Sequence, residues 1–292
     1  MTMRSRFYRV AAEALDDDER VALVVADIGV SQLPQHERVH NVGIREQLMI
    51  GVTAGLALEG YRAVAHSYTP FLVERPYEQI KLDLGHQDVG AILVSIGASY
   101  DASREGRTHQ APEDVSLMSA LPGWTIHVPG HPDEVERLFR RALATDDRVY
   151  IRLSEEVNHA RVDGDGLVVL RRGSEDAPFV ITVGPTLGPT LEATAGLDAT
   201  VAYLATVRPF DRDGLRAAVR GTDVVLVEPY LAGTSSAEVS AALTDRPHRL
   251  LALGVPNGEL RRYGEGAEHR AAYGLDALGV RASLDAFLRE RL

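Results

Sequence analysis

Two doubly wound α/β domains are predicted by three features of this sequence. Short, continuously apolar and β-branched runs recur along the chain, and amphipathic stretches of helical period separate them. Mostly parallel sheets covered by helices on both faces give that alternation. The alternation breaks once, near residue 155, and resumes near 179. The full 292 residues also exceed the usual domain size of about 100–200, so two cores are expected.

In order, strand-like runs fall at 21–28, 63–67, 89–96, 124–128 and 148–153, with helical patterns at 42–58, 71–84, 112–120 and 132–144. The last helix opens on Pro132, Asp133 and Glu134, a proline and negative charges in the turn where the helix dipole favours them. Segment 155–172 is polar and holds Asp163-Gly164-Asp165-Gly166, although its 167–170 run fits a short edge strand. Strands then follow at 179–183, 200–204, 224–227 and 250–253, with a closing helix near 281–289. The expected division is a first domain over 1–160, a linker over 161–175 and a second domain over 176–292.

Charged residues make up 25% and apolar residues 45%, and Lys plus Arg is 31 against 42 Asp plus Glu, a net charge of −11. That balance describes a folding chain without the basic footprint of a nucleic-acid or anionic-membrane binder. No cysteine is present, which removes thiolate catalysis and cysteine metal sites and fits an intracellular chain. Neither a signal-type opening nor a membrane-length apolar run occurs, so the cytoplasm is expected. A G-x-G-x-x-G fingerprint and a phosphate-binding P-loop are also missing, leaving NAD and ATP chemistry unsupported.

In doubly wound sheets ligands sit beyond the carboxyl ends of the strands. The densest polar loop there is 97–110, ending in Thr108-His109-Gln110. His109 suits proton transfer or a hydrogen bond to a substrate oxygen near neutrality, and equally the capping of the next helix. Glu46 stands where a helix should begin; with Gly43 as N-cap it would be an ordinary third-position glutamate. Tyr68, Phe71 and Tyr77 form a loop-to-helix aromatic face, a pattern that commonly serves a core.

Read together, these segments resemble the C-terminal half of the transketolase family over nearly the whole chain. Segment 41–60, NVGIREQLMIGVTAGLALEG, is similar to the stretch around the family's catalytic glutamate, with Glu46 in that place. Segment 67–79, SYTPFLVERPYEQ, resembles the aromatic segment against the cofactor's aminopyrimidine, and 106–110, GRTHQ, the G-P-T-H-Q turn with Arg107 in place of proline. Thr206–Asp211, Val227-Glu228-Pro229 and Tyr273-Gly274-Leu275-Asp276 resemble landmarks of the family's C-terminal domain. The family's G-D-G segment, which holds a diphosphate and a metal, has no counterpart here, and Asp163–Gly166 is expected to bind no metal.

The resemblance implies a pyrimidine-binding-type domain followed by a transketolase C-terminal-type domain. It also implies a split, thiamine-diphosphate-dependent transferase of specialised metabolism, moving a two-carbon ketol unit from a ketose to an aldehyde. A pyrophosphate-binding subunit, expected in an α2β2 assembly, would hold Mg2+ or Ca2+. Catalytic roles fall to Glu46 and His109; Glu46, Tyr68, Phe71, Ile44 and Asp27 would meet the cofactor. His109, Glu105, Arg107, Arg104, Arg152 and Glu155 would meet substrate. Alternatives are a 2-oxo acid decarboxylase or dehydrogenase beta subunit, a deoxyxylulose-phosphate-synthase-like enzyme, or a non-catalytic assembly subunit. Where the family places a phosphate-binding histidine and arginine, this chain has Gly97 and Glu155. An acceptor other than a standard pentose phosphate is therefore expected, such as an amino- or carrier-linked aldehyde whose positive charge Glu155 or Glu156 meets.

Overall fold

The computed structural model describes residues 1–290. It opens on α1 (Met3–Asp17), a helix that the apolar periodicity leaves unassigned. Thr2 caps it, its Oγ1 accepting from the Ser5 amide at 3.1 Å. Met3, Phe7, Val10, Ala11 and Ala14 form its buried stripe. The first half continues through β1 (Val21–Val25), β2 (Val39–Asn41), α2 (Glu46–Leu58), β3 (Arg62–Tyr68), α3 (Tyr77–Gln79), β4 (Ile92–Ile96), α4 (Asp114–Ser119), β5 (Trp124–His127), α5 (Pro132–Leu143) and β6 (Arg148–Arg152). Wider π-helical turns, Pro70–Glu74 and Ile80–His86, flank α3, so the helix expected over 71–84 is one irregular rod.

The second half adds β7 (Leu167–Arg171), β8 (Phe179–Val183), α6 (Leu187–Ala193), β9 (Thr200–Leu204), β10 (Thr206–Arg208), α7 (Arg212–Ala218), β11 (Asp223–Leu231), α8 (Ser236–Ala242), β12 (Arg249–Val255), α9 (Gly266–Ala272) and α10 (Ala277–Arg289). One sheet has seven strands in the order β10-β5-β6-β4-β3-β1-β2, the other five in the order β12-β11-β8-β9-β7. Among the strands of the described residues, only β10 against β5 and β7 against β9 run antiparallel; β7 is the edge strand that the 167–170 run suggests. No described helix is long and apolar enough to cross a membrane.

The apolar runs become strands because helices bury them from both sides. On one face of the first sheet, Phe7 and Val10 of α1 and Val135 and Phe139 of α5 pack over Val64, Ile92 and Val149. Truncating a fully buried phenylalanine such as Phe139 costs about 3–5 kcal/mol. The second sheet has its own cluster, with Val280 and Leu284 of α10 over Val180 and Val225. A third cluster runs across both sheets, from Ile50, Leu93 and Val115 to Phe179, Leu204 and Val239. Polar contacts fix the same junction: Tyr203 Oη donates to Glu134 Oε2 at 2.6 Å and the Gly130 amide donates to that oxygen at 2.9 Å. The carboxyl ends of β1, β3, β4 and β6 are thereby set in a rigid frame.

Candidate active site

Glu46 is the first residue of α2, not the third, and its N-cap is Arg45, which makes no side-chain capping bond. The capping-box arrangement with Gly43 is thus absent. Glu46 is only 2% exposed. Its Oε1 accepts from Arg75 Nη1 at 2.8 Å, while Oε2 has no hydrogen bond among the described residues. The Arg75 guanidinium carbon lies 4.0 Å from the Phe71 ring centroid, a cation–π contact that ties the carboxylate to the aromatic segment. Sequence reasoning passes over Arg75; the signal is its place four residues after Phe71, one turn along the same irregular helix.

Tyr68 at the end of β3 and Phe71 in the following turn meet His109 from the 97–110 loop. The imidazole centroid lies 5.4 Å from Tyr68 and 4.9 Å from Phe71, both edge-on. Thr108 Oγ1 donates to the Glu105 carbonyl at 3.2 Å and sits 2.9 Å from His109 Nδ1. Nε2 of the same ring has no hydrogen bond among the described residues. Glycines shape this loop where a side chain cannot fit. At Gly97 (φ 71°) an added Cβ would lie 2.4 Å from Tyr68 Cδ1, and at Gly106 it would lie 2.5 Å from the Tyr263 ring.

The arginines expected to meet substrate are engaged elsewhere. Arg152 is buried, its Nε 2.8 Å from Asp114 Oδ2 and its Nη2 2.5 Å from Ser99 Oγ, which donates to the Pro229 carbonyl at 2.6 Å. An interior ion pair thus takes the place of the substrate contact expected of Arg152. Arg104 pairs with Glu265 at 2.5 Å. Arg107 donates to the Gln110 carbonyl at 2.6 Å and to Glu113 at 3.0 Å, with Glu259 at 3.5 Å. These contacts strap the loop to the second half. Glu156 is paired with Arg270 and so is not free to meet a cation.

Glu105 and Glu155 are exposed, and Glu155 donates its amide to Asp101 Oδ2 at 2.9 Å. Burial pushes the Asp101 carboxyl up to about 7. Asp27, also exposed, is held by Asn41, whose Nδ2 donates to Asp27 Oδ1 at 2.9 Å and whose Oδ1 accepts the Asp27 amide at 3.0 Å. Ile44 is 70% exposed on the approach to α2. In the linker, Asp165 lies 3.2 Å from Arg137 and 3.0 Å from Arg141. The structure therefore gathers Glu46, Tyr68, Phe71 and His109, leaves Asp27, Ile44 and Glu155 on nearby strand-end loops, and withdraws Arg152.

A family model described as "Transketolase, pyrimidine binding domain" matches residues 1–158. An uncharacterized 33.6 kDa protein in the fasciation locus of Rhodococcoides fascians is 48% identical, over 98% of this chain and 95% of its own. A 6-deoxy-6-sulfo-D-fructose transketolase subunit of a Clostridium species is 30% identical, over 87% of this chain and 84% of its own. The chain also matches 1-deoxy-D-xylulose-5-phosphate synthases, of which it spans 42–43%. Among solved structures, a split gene transketolase, an inactive beta4 tetramer, shares the fold with a TM-score of 0.83 at 24% identity, over 99% of this chain and 98% of that one.

Proposed function

This chain belongs to the transketolase family, and from that premise we propose that it is the C-terminal half of a split, thiamine-diphosphate-dependent transketolase. It would move a two-carbon ketol unit from a ketose to an aldehyde, together with a pyrophosphate-binding subunit. The observation that carries this reading is buried Glu46, with one oxygen free of protein partners, beside the Tyr68–Phe71–His109 rings. The division between two chains is supported by the relative named a transketolase subunit, of whose length this chain covers 84%.

These residues fit the pyrimidine end of the cofactor, which needs a carboxylate at a ring nitrogen and aromatic faces. When bound, thiamine diphosphate supplies a thiazolium carbon that becomes nucleophilic on losing its proton. Glu46 would share a proton with N1′ of the pyrimidine, a general acid–base role worth roughly 10²–10⁴ in rate. Tyr68 and Phe71 would wall the ring and exclude water, which strengthens the carboxylate's interactions by lowering the local dielectric. His109, with Nε2 open, would share a hydrogen bond with a sugar hydroxyl, and Glu105 would meet a second. Diphosphate and Mg2+ or Ca2+ are assigned to the partner in an α2β2 assembly in the cytoplasm.

Calorimetric titration tests the division of labour. The chain alone should bind the cofactor weakly, and the chain with an N-terminal-half partner tightly and with ketol transfer. Tight stoichiometric binding by the chain alone would overturn the split architecture.

A further inference from the structure

A cavity of about 300 Å3 opens beside the aromatic cluster, between the start of α1 and the carboxyl ends of β3, β4 and β6. Thr2, Arg4, Tyr68, Gly97, Ser154 and Glu155 help to line it. Tyr68 is shared: its ring packs edge-on against His109 and the residue also lines the cavity, so the cavity adjoins the proposed site of chemistry. Gly97 has to be glycine for this wall to exist, because a Cβ there would meet Tyr68 at 2.4 Å.

The two charged groups on the cavity are not paired with each other or with any other residue through an ion pair among the described residues. Arg4 is nevertheless held in place. Its Nε lies 3.1 Å from Tyr8 Oη, which lies 2.9 Å from His66 Nε2, while His66 Nδ1 lies 2.8 Å from the Val94 carbonyl. A carbonyl only accepts, so Nδ1 carries the proton, Tyr8 donates to Nε2, and the Tyr8 oxygen accepts from Arg4. Only Nε is used in this chain, which leaves both terminal nitrogens of the guanidinium for a ligand. On the same cavity, the Glu155 backbone is pinned by Asp101 through its amide, and its carboxylate is exposed.

Resting on the transketolase reading, we propose that this cavity selects an acceptor aldehyde whose far end carries both a carboxylate and an ammonium group, with Arg4 holding the first and Glu155 the second. A guanidinium presents parallel donors to a planar carboxylate. A carboxylate beside that site favours an ammonium and opposes a dianionic phosphate. Arg4 and Glu155 are then specificity-determining residues, supplied by the first turn of α1 and the loop after β6.

The test uses the reconstituted complex, one ketose donor and a matched acceptor series: butanal, succinic semialdehyde, 3-aminopropanal, aspartate semialdehyde and ribose 5-phosphate. Aspartate semialdehyde should lead in kcat/KM, each charged contact contributing roughly 10- to 100-fold over the uncharged case. Arg4→Gln should lower the carboxylate-bearing aldehydes relative to butanal, and Arg4→Lys should restore part of the loss. Glu155→Gln should lower the amino-bearing aldehydes relative to butanal and raise ribose 5-phosphate. An order indifferent to charge, ribose 5-phosphate in the lead, or variants that scale every acceptor alike would overturn the proposal. Calorimetry with homoserine, an alcohol that cannot react, separates the two readings. If no acceptor turns over but homoserine binds and Arg4→Gln abolishes its binding, the ketol-transfer reading fails and the charged cavity stands. If transfer proceeds while homoserine does not bind, the cavity proposal fails alone.

Discussion

Two buried glutamates, one in each half of the molecule, sit toward the carboxyl-terminal side of a sheet and have opposite surroundings. Glu228, fully buried within β11, accepts the Ser235 amide at 3.1 Å, and burial pushes its carboxyl up to about 7. The protein has closed around it. Glu46 is nearly as buried, yet it keeps one oxygen without a hydrogen-bond partner among the described residues and meets Arg75, a side chain that is 43% exposed. Similar sheets with similar carboxylates thus differ in whether the polar group is already satisfied. A strand end becomes a candidate site when a buried acceptor is left for something outside the chain.

The largest way to break this contrast is substitution of both glutamates by glutamine in the reconstituted complex. Glu46→Gln should slow hydrogen–deuterium exchange at the thiazolium carbon by roughly 10²–10⁴, and Glu228→Gln should leave it nearly unchanged. Equal exchange rates would reduce Glu46 to a helix-start carboxylate. Next in size is Gly97→Ala, which sets a Cβ against Tyr68 at a backbone angle of φ 71°. It should cost about 1–2 kcal/mol of stability from the left-handed conformation alone, seen as a lower melting temperature, with weaker cofactor affinity as Tyr68 is displaced.

The contrast also has a pH signature. The folded pKa of Glu228, about 7, stands above the ordinary 4.5, so the folded state holds its proton more tightly than the unfolded state does. Stability from this group is full below about pH 4.5 and is lost as pH rises through about 7. Glu228→Gln should therefore flatten the fall in melting temperature between pH 5 and pH 8, by roughly 1–3 kcal/mol in stability. A wild-type profile that stays level across that window would remove the premise. Smallest is Thr108→Val, which removes the Thr108 contact to His109 Nδ1 and frees the ring to rotate. The loss of one neutral hydrogen bond, about 0.5–1.5 kcal/mol, should appear as a severalfold lower kcat/KM for ketol transfer with the thiazolium exchange rate unmoved.

Much of this contrast is legible in the order of amino acids alone. The central strands read directly, because runs such as Val21–Val25 are apolar at every position and fully buried. Glu46, Tyr68, Phe71 and His109 are legible through the family pattern. The remainder depends on three-dimensional neighbours. β10 is three residues long and exists because Thr206 and Arg208 find β5, and no local periodicity announces a strand of that length. The ion pair of Arg75 with Glu46 spans 29 positions. Helix α1 has a readable stripe, but polar residues between its apolar positions mute the signal, and the cavity role of Arg4 follows only from where α1 packs. Arg152 teaches the reverse lesson: an arginine at a strand end reads as available, while Asp114 and Ser99 have already enclosed it.

β10 decides where this polypeptide can be divided. The strand comes from beyond the predicted linker, but it completes the edge of the first sheet by pairing with β5. Residues 1–160 produced alone would leave the outer side of β5 as an open row of amides and carbonyls, an edge that recruits strands from other molecules. A truncation at that boundary would therefore yield a fragment prone to edge-to-edge association.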